Sequence, residues 1–325
     1  MVGTSFREFD PAAAARAWNR MYPDRFAVDA ELLRKHLVDS PLLDWGASRV
    51  VTDGNEIRGF VAIKKSATPA LYTGSDPDAS HLSAIVFDEP TLGVELMADA
   101  KSVLRDRGVY RLVFGQDSGH LWPSCPNDCP QLRTFLTVEG FAEGGEVVDL
   151  ERDLGDYAPS AETYRPLREW PGGEDPSGLG EVREVGAGEE DLLAAHLERE
   201  FPGRWRYDVI EKFRVEGPGD IYGLYLGDQI EGFAMTQRST HKMPVAGAVW
   251  HRSLGEHWGA LGPIGVARSL RGKGYGRAVL AAALTGLKQK GARQTIIDWT
   301  NLAPFYEAQG FFVTRRYLGM TLRLS

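Results

Sequence analysis

The sequence predicts an α/β protein, a mixed α+β sheet built twice in two tandem domains. Three observations carry that reading. Strand-like segments alternate with helix-like ones along the 325 residues. The same landmarks recur in the same order about 170–183 residues apart. One glycine-rich strand-to-helix turn occurs in the second copy and not in the first.

The landmarks are specific. Tyr22-Pro-Asp-Arg-Phe answers to Phe201-Pro-Gly-Arg-Trp, and Ile57-Arg-Gly-Phe60 to Ile230-Glu-Gly-Phe233. Leu104-Arg-Asp-Arg-Gly108 answers to Leu287-Lys-Gln-Lys-Gly291, and the run from Leu132 to Gly140-Phe141 to that from Leu302 to Gly310-Phe311. A period of domain size means one duplicated domain rather than a solenoid. The expected domains are residues 1–156 and 181–325, joined by a Pro- and Gly-rich linker at 157–180.

Taken in order, each half opens with a helical region and a β-hairpin, 48–52 with 57–63 and 221–226 with 230–237. Asp53-Gly54-Asn55 and Gly227-Asp228 supply the turns. A central strand follows at 81–87 and 261–266, then a helix at 94–107 and 276–290. In the second of these helices apolar residues at 279, 280, 283, 284 and 287 make one stripe. Gly108 and Gly291 stand where a left-handed residue ends a helix, each after a basic turn. A strand at 110–114 or 294–299, a short helix and a last hairpin complete each half.

Composition narrows the function classes. A hydrophobic share of 43% and a charged share of 25% are globular values. A net charge of −8 argues against general affinity for nucleic acid or anionic membrane. The N-terminus carries Arg7, Glu8 and Asp10 without a long apolar run, and no stretch suits a membrane span, so a cytoplasmic protein is expected. His120, Cys125 and Cys129 share an insertion at 116–131. Cys-x-x-x-Cys in a Pro-rich loop lacks a clear fourth ligand, and no metal is expected there.

The chemistry concentrates at Arg271-Gly272-Lys273-Gly274-Tyr275-Gly276. Its glycines bare the backbone amides, Arg268, Arg271, Lys273 and Arg277 surround them, and a helix N-terminus adds partial positive charge. Such a turn suits a phosphate or pyrophosphate. It is not a P-loop, because Gly274 stands where Ser or Thr is needed, nor a dinucleotide fingerprint, because Arg277 stands at the third glycine.

Arg-x-x-Gly-x-Gly after a strand resembles the coenzyme A pyrophosphate loop of the GNAT N-acetyltransferase superfamily. Asn301 and Phe305-Tyr306-Glu-x-x-Gly310-Phe311 follow in that family's order. The whole arrangement is similar to tandem-GNAT proteins, some of which acetylate glucosamine-type amino sugars. The resemblance implies two tandem GNAT-like domains with acetyl-CoA as cofactor. Ile264, Gly265 and Val266 would line its arm, Arg271, Gly272, Lys273, Gly274, Tyr275, Gly276 and Arg277 its pyrophosphate, and Asn301 would touch the arm. It further implies an acyltransferase acting on the primary amine of a small molecule, an amino sugar being one candidate. The amine would attack the thioester directly, with Tyr306 as general acid.

The residues themselves add to this. The strand is interrupted at Gly262-Pro263, which favours splaying from its neighbour and free backbone groups. The acceptor amine needs a base; Asp298 ends a strand close to the expected site, with Glu200, His241, His251 and His257 as other candidates. Trp250, His251 and His257, on the long connection 238–258, are expected beside the acceptor.

The two halves differ where the chemistry belongs. Leu104 lies 17 positions after Phe87, whereas Leu287 lies 20 positions after Ala267. What remains at the first turn is Asp88-Glu89-Pro90-Thr91-Leu92-Gly93, whose carboxylates repel a pyrophosphate, and Leu136 takes the place of Tyr306. The N-terminal domain is therefore expected to be degenerate, binding no coenzyme A, and to serve as scaffold or as a wall of the acceptor pocket. Alternatives are a protein or peptide N-acetyltransferase, transfer of a longer acyl group, and a coenzyme A-binding regulatory protein without turnover. Monomer and homodimer both fit.

Overall fold

One sheet crosses both halves, and its order shows how they are joined. The structure, a computed structural model, describes residues 4–66, 79–170, 179–238, 240–241 and 248–324. The first half supplies β1 (Thr4–Ser5), α1 (Pro11–Met21), α2 (Ala30–Leu33), β2 (Arg49–Asp53), β3 (Glu56–Lys65), β4 (Ala79–Phe87), α3 (Pro90–Asp106), β5 (Arg111–Phe114), β6 (Cys125–Pro126), α4 (Pro130–Val138) and β7 (Ala142–Asp153). After α5 (Arg165–Arg168) the second half repeats the series. It comprises β8 (Glu181–Glu184), α6 (Glu190–Glu200), α7 (Arg204–Glu216), β9 (Ile221–Leu226), β10 (Gln229–Arg238), β11 (Trp258–Val266), α8 (Tyr275–Gln289), β12 (Gln294–Thr300), α9 (Ala303–Glu307) and β13 (Phe312–Arg323).

Local chemistry sets these elements. The Asp10 carboxylate caps α1 by accepting the N–H groups of Ala12 and Ala13 at 3.0 and 3.2 Å, and Pro11 pre-sets the first turn. Leu92, Leu96, Met97, Ala100 and Leu104 form the buried stripe of α3. Leu280, Ala283, Leu284 and Leu287 do the same on α8. Gly108 and Gly291 end these helices at φ +76° and +94°, the left-handed region glycine adopts without strain.

Among the described residues the strand order is β1-β2-β3-β4-β5-β13-β7-β12-β11-β10-β9-β8. Each half's last strand has crossed to the other: β13 pairs with β5 and β7 pairs with β12, both antiparallel, and the two pair with each other. The expected last hairpin in each half is therefore a single 12-residue strand. It finds its partners across the molecule because both halves leave the same sheet edge open. The linker also differs from expectation. It contains α5, whose Leu167 is buried against the second core, and Lys288 Nζ donates to the carbonyls of Gly155 and Tyr157 at 2.9 Å each.

Candidate active site

The glycine turn lies at the N-terminus of α8. Gly272 and Gly274 sit at φ +74° and +90°, and Gly274 is the residue before the helix. The N–H groups of Arg271, Lys273 and Arg277 are spent on the carbonyls of Arg268, Leu270 and Gly274. Those of Tyr275 and Gly276, in the first turn of the helix, have no partner within it. Arg268, Arg271, Lys273 and Arg277 are exposed around them and make no ion pair among the described residues. Bare amides, four uncompensated cations and a helix dipole fit a pyrophosphate.

The matching turn of the first half does not fit one. Asp88 takes the Arg58 guanidinium at 2.5 Å and Glu89 lies 3.8 Å from it. Pro90 begins α3 and removes a donor from its first turn.

β11 opens beside the glycine turn. Its parallel pairing with β12 ends at Ala260↔Ile296, while its pairing with β10 continues to Val266. Gly262 and Pro263 together oppose Met235, a bulge that turns the strand. Ile264, Gly265 and Val266 thus have a partner strand on one side and a wedge on the other. The Phe201 ring packs on Gly265, where a Cβ would meet it at 2.4 Å.

β12 carries the other wall of the wedge. Its register with β7 shifts between Ile297 and Thr300, so that Asp298 and Trp299 bulge opposite Asp149. Trp299 sits at φ +47°, a strained conformation for a bulky residue. Two anchors hold it: its N–H donates to Asp149 Oδ1 at 3.2 Å, and the Arg204 guanidinium lies 4.1 Å over its ring. Asp149 is fully buried and accepts the Tyr317 hydroxyl at 2.6 Å. Burial, then the neighbouring Asp298, push its pKa well above the ordinary carboxylate value.

Asp298 faces the wedge. Its Oδ1 lies 3.9 Å from where a Cβ on Gly262 would sit. Its Oδ2 is 2.7 Å from Nε2 of His120, a residue of the first half. Tyr306 is 4% exposed on α9, against Phe305 and Phe311. Burial first, and the Asp298 charge second, raise its pKa, so the phenol stays protonated at neutral pH.

A cleft of about 620 Å³ adjoins this wedge. His81, Gln116 and Val147 line it from the first half, and Phe201, Arg204, Trp299 and Asn301 from the second. His81 Nδ1 is 2.8 Å from the Gly115 carbonyl, so it carries the proton and leaves Nε2 as an acceptor. Burial lowers the His81 pKa and keeps the ring neutral.

The other sequence candidates fall elsewhere. Trp250 is buried in the first half's core against Phe26 and Trp122. His251 stacks on Trp258, and His257 is exposed; none of the three lines the cleft. Residues 242–247 of that connection lie outside the described residues. Glu200 accepts the Arg268 N–H at 2.9 Å and pairs with Arg199. His241 is 3.0 Å from Asp220 and accepts the Arg238 N–H. Cys125 and Cys129 are free and buried, with thiols pushed up to about 12 by burial. No cluster of three potential metal ligands occurs among the described residues.

Sequence reasoning set His120 aside as part of a loop and did not single out Asp149. The duplication held a signal for the wedge. The offset that aligns Leu104 with Leu287 places Gly115 opposite Asp298 and Gln116 opposite Trp299. Gln116 repeats the strained backbone at φ +61°, without the carboxylate before it. At Leu136 the backbone is likewise conserved: Phe141 N–H donates to the Leu136 carbonyl as Phe311 N–H donates to that of Tyr306.

Comparison with known proteins bears on the fold and on part of the second half. Residues 190–311 match the family described as Acetyltransferase (GNAT) family. No curated protein matches the chain in sequence. Among solved structures, the glucosamine N-acetyltransferase region of a fungal multi-domain GH3 β-N-acetylglucosaminidase superposes at TM-score 0.85 and 19% identity. That match covers 98% of this chain, which spans only 37% of the fungal one. A GCN5-related N-acetyltransferase from Sphaerobacter thermophilus gives TM-score 0.66 at 17% identity, over 97% of this chain and 93% of that one. A tandem GNAT protein from the clavulanic acid biosynthesis pathway gives 0.64 at 16%, over 100% and 98%. Residues 190–311 thus match the acetyltransferase (GNAT) family model, and the chain as a whole shares the fold of tandem GNAT proteins, with a first half that lacks the phosphate turn.

Proposed function

We propose that the protein transfers the acetyl group of acetyl-CoA to the primary amine of a small molecule, at one site in the second half. The observation that carries this reading is the wedge between β11 and β12. It has the cationic glycine turn near its mouth, Asp298 on one wall and the buried Tyr306 close by. Acetyl-CoA, when bound, supplies the activated acyl group. Residues 271–277 would hold its pyrophosphate, Ile264, Gly265 and Val266 its arm along the free edge of β11, and Asn301 would contact that arm. Asp298 Oδ1 takes the proton of the incoming ammonium. The Tyr306 hydroxyl, kept protonated by burial, donates to the departing sulfur.

The cleft favours a small acceptor. Its volume is in the range of small-ligand sites, and both halves wall it. A peptide acetyltransferase needs a groove open at both ends. The indole of Trp299 and the neutral Nε2 of His81 offer stacking and hydrogen-bond acceptance, which suit a polyhydroxylated amine such as an amino sugar. The test is a panel of amino sugars, aminoglycosides and N-terminal peptides, followed by thiol release from acetyl-CoA. Acceleration by small amines and not by peptides is expected. Hydrolysis that no amine accelerates would make the protein a coenzyme A-binding regulator instead.

A further inference from the structure

Among the side chains that the first half brings to the second half's site, His120 meets the proposed base. His120 lies on the insertion between β5 and α4, 178 positions before Asp298, with its Nε2 at 2.7 Å from Asp298 Oδ2. Its side chain is 1% exposed and that of Asp298 6% exposed, so water does not screen the contact. An ionised carboxylate only accepts, so Nε2 carries the proton of this hydrogen bond. Nδ1 is buried without a hydrogen-bond partner among the described residues, which suits the neutral ring.

The loop that presents His120 is fixed from below. The Gly119 carbonyl accepts Lys64 Nζ at 3.0 Å and lies 2.9 Å from His36 Nδ1. Lys64 also pairs with Asp117 at 2.7 Å, both fully buried. The imidazole stands edge-on to Trp299 at 5.0 Å.

We propose that His120 is a positioning residue contributed by the N-terminal half. It occupies Asp298 Oδ2 with a donated hydrogen bond, fixes the carboxylate plane, and leaves Oδ1 toward Gly262 as the proton acceptor. This rests on Asp298 being the base, and it gives the degenerate half a part in catalysis beyond shape. Among the described residues, the charged and titratable groups facing Asp298 are His120, Asp149 and Tyr306. Of these, His120 is the one that donates a hydrogen bond to the carboxylate, the kind of contact that favours an ionised acceptor.

The experiment uses the full chain and needs no acceptor. The carbon-13 resonance of the Asp298 carboxylate, identified by its loss in Asp298→Asn, is followed against pH in wild type, His120→Gln and His120→Met. Gln and Met match in size, and Gln alone keeps a donor. The expected result is a midpoint unchanged in His120→Gln and higher in His120→Met, which has lost the donated hydrogen bond. Coenzyme A-induced thermal stabilisation should be equal in all three. With an accelerating amine, kcat falls roughly 10-fold or more in His120→Met and its acid limb moves up, while KM for acetyl-CoA stays. Identical midpoints in all three proteins would overturn the proposal. A fully active Asp298→Asn would instead remove the base assignment while leaving the resonance result standing.

Discussion

Tyr306 and Leu136 occupy equivalent backbone positions, and in the proposed mechanism the Tyr306 hydroxyl is the proton donor that Leu136 lacks. Tyr306→Phe removes only that oxygen. The expected outcome is a fall in kcat of about 100-fold or more, with KM for acetyl-CoA unchanged. Asp298→Asn should fall comparably and recover in part at high pH, where more of the amine is already neutral; stopped-flow thiol detection over pH 6–9 checks both. A second prediction concerns stability. Burial lowers the pKa of His36 to about 3 and that of His196 to about 4. Both fold as neutral rings, so their contribution is complete above the unfolded value of 6.5 and is lost as pH falls toward those folded values. Chemical denaturation should show stability dropping below pH 6.5 by at most about 1.4 kcal/mol per pH unit per histidine. His36→Gln should flatten that slope; an unchanged slope would show that His36 does not set it.

At the scale of an element, the glycine turn is the part most easily broken. A side chain at Gly274 meets Pro166 of α5 at 2.9 Å and must adopt φ +90°. Gly272 has the same backbone constraint at φ +74° but open space around it. Gly274→Val should therefore abolish the thermal stabilisation given by coenzyme A, whereas Gly272→Ala costs only backbone strain of about 1–2 kcal/mol. A calorimetric scan with and without coenzyme A separates them, and equal loss in both would mean that strain alone decides. This contact also shows how much was legible locally. The turn, its cations and its helix were readable because glycine spacing and helix starts are local properties. That the linker packs on the turn was not, since α5 is a single helical turn whose position is set by burying Leu167.

For the molecule as a whole, the exchanged strands are the decisive feature. Residues 181–325 alone would leave β12 without β7, and residues 1–156 alone would leave β5 without β13. Each fragment would expose a long edge in the middle of a sheet. Neither should be a stable monomer, and co-expression should restore the complex; size-exclusion chromatography with circular dichroism checks this, a folded monomeric half being the contrary result. The same exchange places Asp149, on a first-half strand, beneath the strained Trp299 of the second. A chain with separable domains would have no means of doing so.

The sequence by itself determined the duplication, the α/β class, the single cationic glycine turn and the loss of both turn and tyrosine from the first half. These follow from residue spacing over short windows and from comparing one half with the other. Only the tertiary structure decided that the final strands cross, that Trp250 is core, and that the wedge is completed by His120 and Asp149. Those contacts span 178 and 150 positions. Their physical cause is strand register across the centre of the sheet, which no local periodicity encodes.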